Sequence, residues 1–279
     1  MLAPLLDVRD LKVSFRNPGG YVDVVKDVSF TLGRERLAIV GESGSGKSMT
    51  VRALLGLAGR NAIVTARHAR FGEIDLLSLS GRQLSAIRGH RIAMAVQDPR
   101  QGLNPVQTAG RQIAEMLRIH RQTPRRDVRN AVETLLDEVH IRDPRRVFDL
   151  YPHELSGGMA QRVMIAMMLA GGPDILIADE ATSALDALVQ RRILELIDEQ
   201  VRLRGMGLIL VSHDLELVSD FADRVLVMYA GHTVETLVSG QGYQTAQHPY
   251  TRGLIGCVPT LDDPGRRLPI LTRDPDWAQ

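Results

Sequence analysis

The rhythm of apolar and polar positions changes three times along this chain. Near the start the apolar residues come in short stretches separated by turn formers. Leu5 to Phe15 and Val22 to Leu32 read as strands of an antiparallel edge, with Asn17-Pro-Gly-Gly20 as the turn between them. Arg36-Leu-Ala-Ile-Val40 follows as an unbroken apolar run, the pattern of a strand buried on both faces. Met49 to Leu57 then places its apolar residues at helical spacing.

From about Arg100 to Met159 no strand pattern is found. Ala109 to His120 and Arg125 to Val139 predict amphipathic helices joined by a Thr-Pro break. Met159 to about Ala170 predicts an apolar helix, which Gly171-Gly172-Pro173 ends sharply. Beyond Pro173 strands and helices alternate: Asp174–Ala178, Val189–Arg202, Gly207–Val211 and Arg224–Tyr229. From about Gly240 the chain is rich in Gly, Gln and Pro and weakly periodic. Asp262 to Gln279, with three prolines, is expected to be a poorly ordered extension. There is no internal repeat and no low-complexity block.

Between the apolar run ending at Val40 and the helix from Met49 lies Gly41-Glu42-Ser43-Gly44-Ser45-Gly46-Lys47-Ser48. It fits G-x-x-x-x-G-K-[ST] without departure, in the strand–loop–helix context that this phosphate-binding motif requires. The glycines let the backbone curl so that successive N–H groups point inward at phosphate oxygens. The helix behind them turns its positive end to the same place. Lys47 is expected along the β- and γ-phosphates of a nucleoside triphosphate, and the Ser48 hydroxyl on Mg²⁺. Asp179 and Glu180 close another buried strand, where carboxylates at the carboxyl end meet ligands. Asp179 is the expected Mg²⁺ carboxylate, acting through water because Mg²⁺ keeps several waters. Glu180 is the candidate base for the attacking water. Ser156-Gly157-Gly158 opens an apolar helix whose N-terminal amides form an anion site. Taken alone, such a triplet is a helix cap.

Together these segments resemble the nucleotide-binding subunit of an ATP-binding cassette (ABC) transporter, over nearly the whole chain. The resemblance implies an α/β fold: a P-loop NTPase core with a mainly parallel sheet, an antiparallel β edge subdomain and an inserted α-helical subdomain. Residues 1–261 would form the ATPase domain, with 1–99 and 160–240 as core and β edge, 100–159 as helical signature subdomain and 241–261 as C-terminal segment. The tail would be 262–279. In that family Ser156, Gly157 and Gly158 cap the γ-phosphate of ATP held by a partner subunit. Gln97, in Ala93-Met-Ala-Val-Gln-Asp-Pro99, matches the glutamine that senses Mg²⁺ and the γ-phosphate, and the loop after it touches the membrane subunits. Asp186, in Ser183-Ala-Leu-Asp186, matches the acidic member of the loop linking the two ATP sites. His213 matches the histidine at the γ-phosphate; by itself a histidine at a strand end is more often structural. Met49 falls at the end of the ATP-binding loop. Phe15 is the first choice for a ring stacked on adenine, Tyr21 the alternative, and core packing a competing role for both. Ala181 stands where the family usually has proline, which would loosen the turn after Glu180 without removing Asp179, Glu180 or Asp186.

Within the family, the resemblance is to importers of dipeptides, oligopeptides and nickel. It is carried by Tyr151-Pro-His-Glu-Leu-Ser-Gly-Gly-Met159, by Gln97-Asp-Pro99 with Leu103-Asn-Pro105, and by His248-Pro-Tyr-Thr-Arg-Gly-Leu254. Many members carry several cysteines near the C-terminus, and some bind an iron–sulfur cluster there. This chain has the single Cys257, too few for a cluster that takes about four thiolates, so no cluster is expected. The expected function is ATP binding and hydrolysis that energises a peptide importer at the cytoplasmic face of the cell membrane. The expected partners are a second, non-identical cassette, two transmembrane permease subunits and an extracytoplasmic solute-binding protein. Nickel or a metal chelate is the alternative cargo. A soluble cassette working on DNA or ribosomes, and an export or lipid-handling cassette, are the other readings. The former usually carries coiled-coil arms, zinc cysteines or two cassettes, and neither sustained heptads nor a second phosphate loop is found here.

Composition agrees with this picture and narrows it little further. The chain has 279 residues, 44% of them hydrophobic, enough for a large core or two lobes. A net charge of +1 sets up no field that would steer it to nucleic acid. Arginine pairs such as Arg125-Arg126, Arg145-Arg146 and Arg266-Arg267 are scattered and read as solvated helix faces. A single cysteine allows no disulfide within the chain and suits a reducing compartment. No run approaches the roughly 20 apolar residues that span a bilayer. Met1 to Asp7 lacks the basic and long apolar regions of a secretory signal.

Overall fold

The computed structural model describes residues 3–95, 102–181, 186–239, 245–257 and 277. In chain order the first elements are strands β1 (Leu6–Asn17), β2 (Gly20–Leu32) and β3 (Arg36–Val40) and helix α1 (Lys47–Leu54). Next come β4 (Ala62–Thr65), β5 (His68–Phe71), β6 (Ile74–Asp75), α2 (Gly81–Ile87) and β7 (Ile92–Ala95). A helical stretch follows: α3 (Ala109–Arg121), α4 (Val128–Glu138), α5 (Pro144–Phe148) and α6 (Gly157–Ala170). The chain returns to alternation with β8 (Ile175–Asp179), α7 (Ala187–Arg204), β9 (Gly207–Ser212), α8 (Leu215–Ser219) and β10 (Arg224–Tyr229). It closes with β11 (His232–Val238) and α9 (Pro249–Gly256). Two compact units result, one made of residues 1–84 with 209–279 and the other of residues 85–208.

In the first unit β1 is the centre of an antiparallel sheet. It pairs with β2 along one edge, Leu6 opposite Leu32 and Phe15 opposite Val22, and with β4 and β5 along the other. Leu11, Val13, Val25 and Val28 are fully buried, so the alternating apolar positions do form the packed face. A second group of strands is mixed. β10 runs parallel to β3 with Val227 beside Val40, and antiparallel to β11. The apolar run Leu37–Val40 is at most 1% exposed, as a strand covered on both faces should be. The entrances to β3 and β10 are tied together: Arg36 donates from its backbone N and Nε to Asp223 Oδ2 at 2.8 and 2.9 Å.

In the second unit β7 and β8 are parallel, Ile92 beside Ile175 and Ala95 beside Ala178. Helix α6 carries apolar residues nearly all round, and Val163, Ile165, Ala166, Leu169 and Ala170 have no exposed surface. It is the hub of the helical part, with α3, α4, α7 and β7 packed about it. The helices have clear sequence causes. Thr108, Asp143, Ser156 and Asp186 each cap the helix that follows by accepting a backbone N–H from its first turn. Gly205, at φ 60°, ends α7.

Helix α9 departs from the sequence reading. The stretch beyond Gly240, where no element is predicted, contains α9, which starts with Pro249 in its first turn and His248 Nδ1 accepting from Tyr250 N at 3.2 Å. The glycine stop after α6 divides its work. Gly172 holds the left-handed turn at φ 71°, whereas Gly171 is needed for space. A Cβ on Gly171 would lie 1.8 Å from the Gly89 carbonyl oxygen, so two backbones touch there.

That contact makes a prediction. Alanine favours helical conformation over glycine, but backbone on the far side has nowhere to go. Gly171→Ala is expected to destabilise the protein by about 2 kcal/mol, the usual scale of overpacking. Denaturant unfolding of the variant against wild type measures it, and an unchanged midpoint would refute the close contact.

Candidate functional site

The phosphate loop joins β3 to α1 inside the first unit. Gly41 leaves the strand at φ 151°, and a Cβ there would lie 2.1 Å from the Met228 carbonyl oxygen at the end of β10. Gly46 caps α1 at φ 98°, and its Cβ would lie 2.7 Å from the Val24 carbonyl oxygen of β2. Both positions therefore exclude a side chain twice over, by backbone conformation and by crowding. Between them the loop closes on itself, Ser45 N donating to Glu42 O at 3.2 Å. Gly231 N, in the turn after β10, donates to Ser45 O at 3.1 Å. Thr50, with no exposed surface, donates from Oγ1 to Gly46 O at 3.0 Å and anchors the helix start.

Lys47 is only 4% exposed. Its ammonium donates to Gly41 O and Glu42 O, both at 2.8 Å. A charge so deeply placed is held by carbonyl dipoles and adjoins the curled loop. Glu42, Ser43, Gly44 and Ser45, with Tyr229 and Ala230, line a cleft of about 160 Å³. Ser48 and Met49 are half-buried in the first turn of α1. The arrangement offers the positive end of a helix, a set of crowded backbone amides and one cation, the chemistry of a polyphosphate site.

Other residues singled out from sequence in this unit fall at the ends of strands. His213 is exposed immediately after β9, and Asp214 behind it caps α8 by accepting from Leu217 N at 3.0 Å. Phe15 is half-buried near the turn of the β1–β2 hairpin, and Tyr21 at the same end is 63% exposed.

In the second unit the carboxylates, the signature glycines and Asp186 stand at the ends of β8, α6 and α7. Asp179 ends β8 at 1% exposure. Glu180 follows at φ 49°, in the left-handed region that a residue with a side chain seldom occupies. The turn beyond it is held from α6: Gln161, with no exposed surface, donates from Nε2 to Ala181 O at 2.6 Å. Ser156 is exposed and caps α6, its hydroxyl accepting from Met159 N at 3.3 Å. Asp186 caps α7, accepting from Val189 N at 3.0 Å. A Cβ on Gly158 would stand 3.7 Å from Val189 Cγ1, so the signature and the first turn of the Asp186-capped helix are neighbours. Gln97 and the segment Ser183–Leu185 lie outside the described residues.

Two contributors escaped the sequence reading. Gln161 is a lone amide within an apolar helix, and that isolation was the available signal. The Met228–Gly231 turn had none, because its role comes from the chain folding back over the loop from nearly two hundred residues away. Among the described residues no group of three or more His, Cys, Asp or Glu side chains is placed to hold a metal. Mg²⁺ carried in on nucleotide phosphates needs only one or two protein oxygens, and within the first unit the Ser48 hydroxyl would be an oxygen donor of that kind. No helix among the described residues is long and apolar enough to cross a membrane.

A glycine loop between a buried strand and a helix, on an α/β fold of this kind, defines a P-loop nucleoside triphosphatase. Comparison with known proteins gives the family. The model described as "ABC transporter" matches residues 25–183, more than half of the 279. Over 270 residues the chain is 50% identical to a Brucella melitensis protein named provisionally as a peptide import ATP-binding protein, covering 96% of this chain and 81% of that one. It is 46% identical to the dipeptide transport ATP-binding protein of Bacillus subtilis, covering 98% of this chain and 82% of the relative. A dimeric ATP-binding cassette solved in a post-hydrolysis state with ADP and Pi shares the fold at a TM-score of 0.74. That structure is 24% identical, with 84% of this chain and 98% of the other covered. The chain belongs to the ABC transporter family, and its chemistry is that of an ATP-hydrolysing cassette.

Lys47 gives the direct test of the loop. Lys47→Ala removes the buried cation, and charge-assisted bonds are worth about 1.5–3 kcal/mol each. ATP affinity, measured by calorimetry, is expected to fall by on the order of a hundredfold. Unchanged binding would remove the phosphate assignment.

Proposed function

We propose that this chain is the ATPase subunit of a peptide importer and works as one half of a head-to-tail pair of cassettes. ATP lies between the Gly41–Ser48 loop of one cassette and Ser156–Gly158 of the other. Lys47 and the loop amides hold the triphosphate, Ser48 and Asp179 provide oxygens to the Mg²⁺ that comes with it, and Gln97 senses both. Phe15 carries the adenine ring, His213 meets the γ-phosphate, and Asp186 links the paired sites.

The observation that carries the paired arrangement is Gly158. Its φ is ordinary, and among the described residues outside its own helix backbone and chain neighbours a Cβ there meets nothing closer than 3.7 Å. Glycine in a helix gives up more backbone freedom on folding than alanine does. Nothing in the packing of the described residues demands it, and a group that approaches the backbone of α6 at its positive end from outside would. A γ-phosphate presented by a second cassette is such a group.

Hydrolysis follows from the same assignment. Glu180 accepts a proton from water as the water oxygen bonds to the γ-phosphorus, and the bond from that phosphorus to the β,γ-bridging oxygen breaks. ADP and phosphate are the products. With the γ-phosphate contacts gone the pair opens, and the helical part with the loop after Gln97 passes the motion to two transmembrane subunits. The subunit sits at the cytoplasmic face of the membrane, its partner cassette is a non-identical homologue, and an extracytoplasmic binding protein selects the cargo. Peptide as cargo is supported by the relatives named for peptide and dipeptide transport, which match across nearly the whole chain.

Glu180→Gln keeps the shape and removes the base. Turnover is expected to drop by on the order of a hundredfold or more, with ATP binding retained and a nucleotide-dependent pair with the partner cassette accumulating in sedimentation. Wild-type turnover in that variant would remove Glu180 from the chemistry. Purification of the tagged subunit from native membranes is expected to bring down two multi-span proteins and a second cassette. Recovery of ribosomes or DNA-bound proteins instead would contradict the importer.

A further inference from the structure

The peptide group between Gly41 and Glu42 is held at both ends. Its carbonyl oxygen accepts from Lys47 Nζ at 2.8 Å. Its N–H donates to the hydroxyl of Tyr250 at 2.9 Å. Tyr250 comes from α9, 208 residues further along the chain, and has no exposed surface. Its ring lies 4.5 Å from that of Tyr229, the last residue of β10 and part of the cleft beside the loop. The single tryptophan of the chain, Trp277, packs 5.7 Å from Tyr229 and 5.8 Å from Tyr250. The approach to α9 is fixed as well: Glu235 of β11 accepts from Gln247 N at 2.7 Å and from His248 N at 3.3 Å, and Arg252 Nε donates to Ala246 O at 2.9 Å.

A peptide plane has one orientation for its carbonyl and, opposite to it, one for its N–H. The Tyr250 hydroxyl and the Lys47 ammonium therefore constrain the same rotation from two sides. Turning the plane would break both bonds and move the carbonyl that seats the lysine. The conformational freedom of Gly41 makes such turning easy unless something prevents it.

We propose that Tyr250 is a positioning residue of the ATP site, fixing the Gly41–Glu42 peptide plane and through it the seat of Lys47, so that the C-terminal segment is coupled to nucleotide binding. The proposal rests on the reading of Gly41–Ser48 as the triphosphate site. The hydroxyl is the effective group, while the ring only places it. Thr251, the next residue of α9, supplies the contrast: it too has no exposed surface, but its hydroxyl has no hydrogen-bond partner among the described residues.

The test compares full-length wild type, Tyr250→Phe and Thr251→Val. Tyr250→Phe is expected to raise the ATP Kd and KM about fivefold, the worth of one lost hydrogen bond, with kcat at saturating ATP within about twofold of wild type. Amide hydrogen exchange in the Gly41–Gly46 peptide should quicken, and the change in Trp277 emission on adding ATP should shrink. Thr251→Val should match wild type in all five measurements. Wild-type affinity and exchange in Tyr250→Phe would overturn the proposal while leaving ATP binding by the wild type intact. Equal losses in both variants would also overturn it, since they would mark damage to α9 packing. Failure of the wild type itself to bind ATP would remove the phosphate-site reading and the proposal with it.

Discussion

A buried ammonium seated on two carbonyls of its own loop is the constraint around which the first unit is arranged. Lys47 is placed beneath the Gly41–Gly46 curve, and that curve exists only because two positions carry no side chain. The strand that feeds the loop must end at a fixed point, which the Arg36–Asp223 bonds help to set by tying the entrances of β3 and β10. The far end of β10 then comes up under Gly41, and the turn after it reaches Ser45. Burying a charge is costly unless polar groups surround it, so the elements that shape this loop also bear on the seat of the lysine.

The second unit solves a different problem. Its chemistry-bearing residues all stand at the ends of regular elements, where backbone groups lack partners. Ser156 and Asp186 satisfy such groups as caps, which leaves the amides beyond them and the exposed faces of two helix starts side by side. Glu180 stands in a left-handed conformation after a buried aspartate, and Gln161 of α6 grips the carbonyl of the next residue. A strained residue persists when its neighbours over-determine it, and here the buried amide is the visible restraint.

Much of this was legible in the sequence because the decisive signals were local. Gly41–Ser48 combines a fixed spacing with an apolar strand before and a helical pattern after, so loop, orientation and ligand class are read together. The cap at Ser156 and the strand before Asp179 are likewise written in neighbouring residues. What could not be read arises from contacts between distant parts of the chain. The strands from Ala62 to Asp75 are two to four residues long, too short for a period to emerge, and owe their existence to pairing with β1 and with one another. Helix α9 has only eight residues and a glycine within it, so packing rather than propensity makes it a helix. Of the last segment, 262–279, only Trp277 lies among the described residues, against Tyr229 and Tyr250.

The backbone contact between Gly171 and Gly89 has a mechanical consequence. Side chains between packed elements act as compressible cushions and let helices slide by changing rotamer. Here the cushion is missing, and the end of α6 bears directly on the carbonyl before β7, whose Gly89 N–H is itself bonded to Ile92 O at 2.9 Å. An axial push on the signature helix therefore has no slack to take up at that end. It is delivered to the start of β7 as displacement, which makes the helix and strand a stiff lever inside their unit.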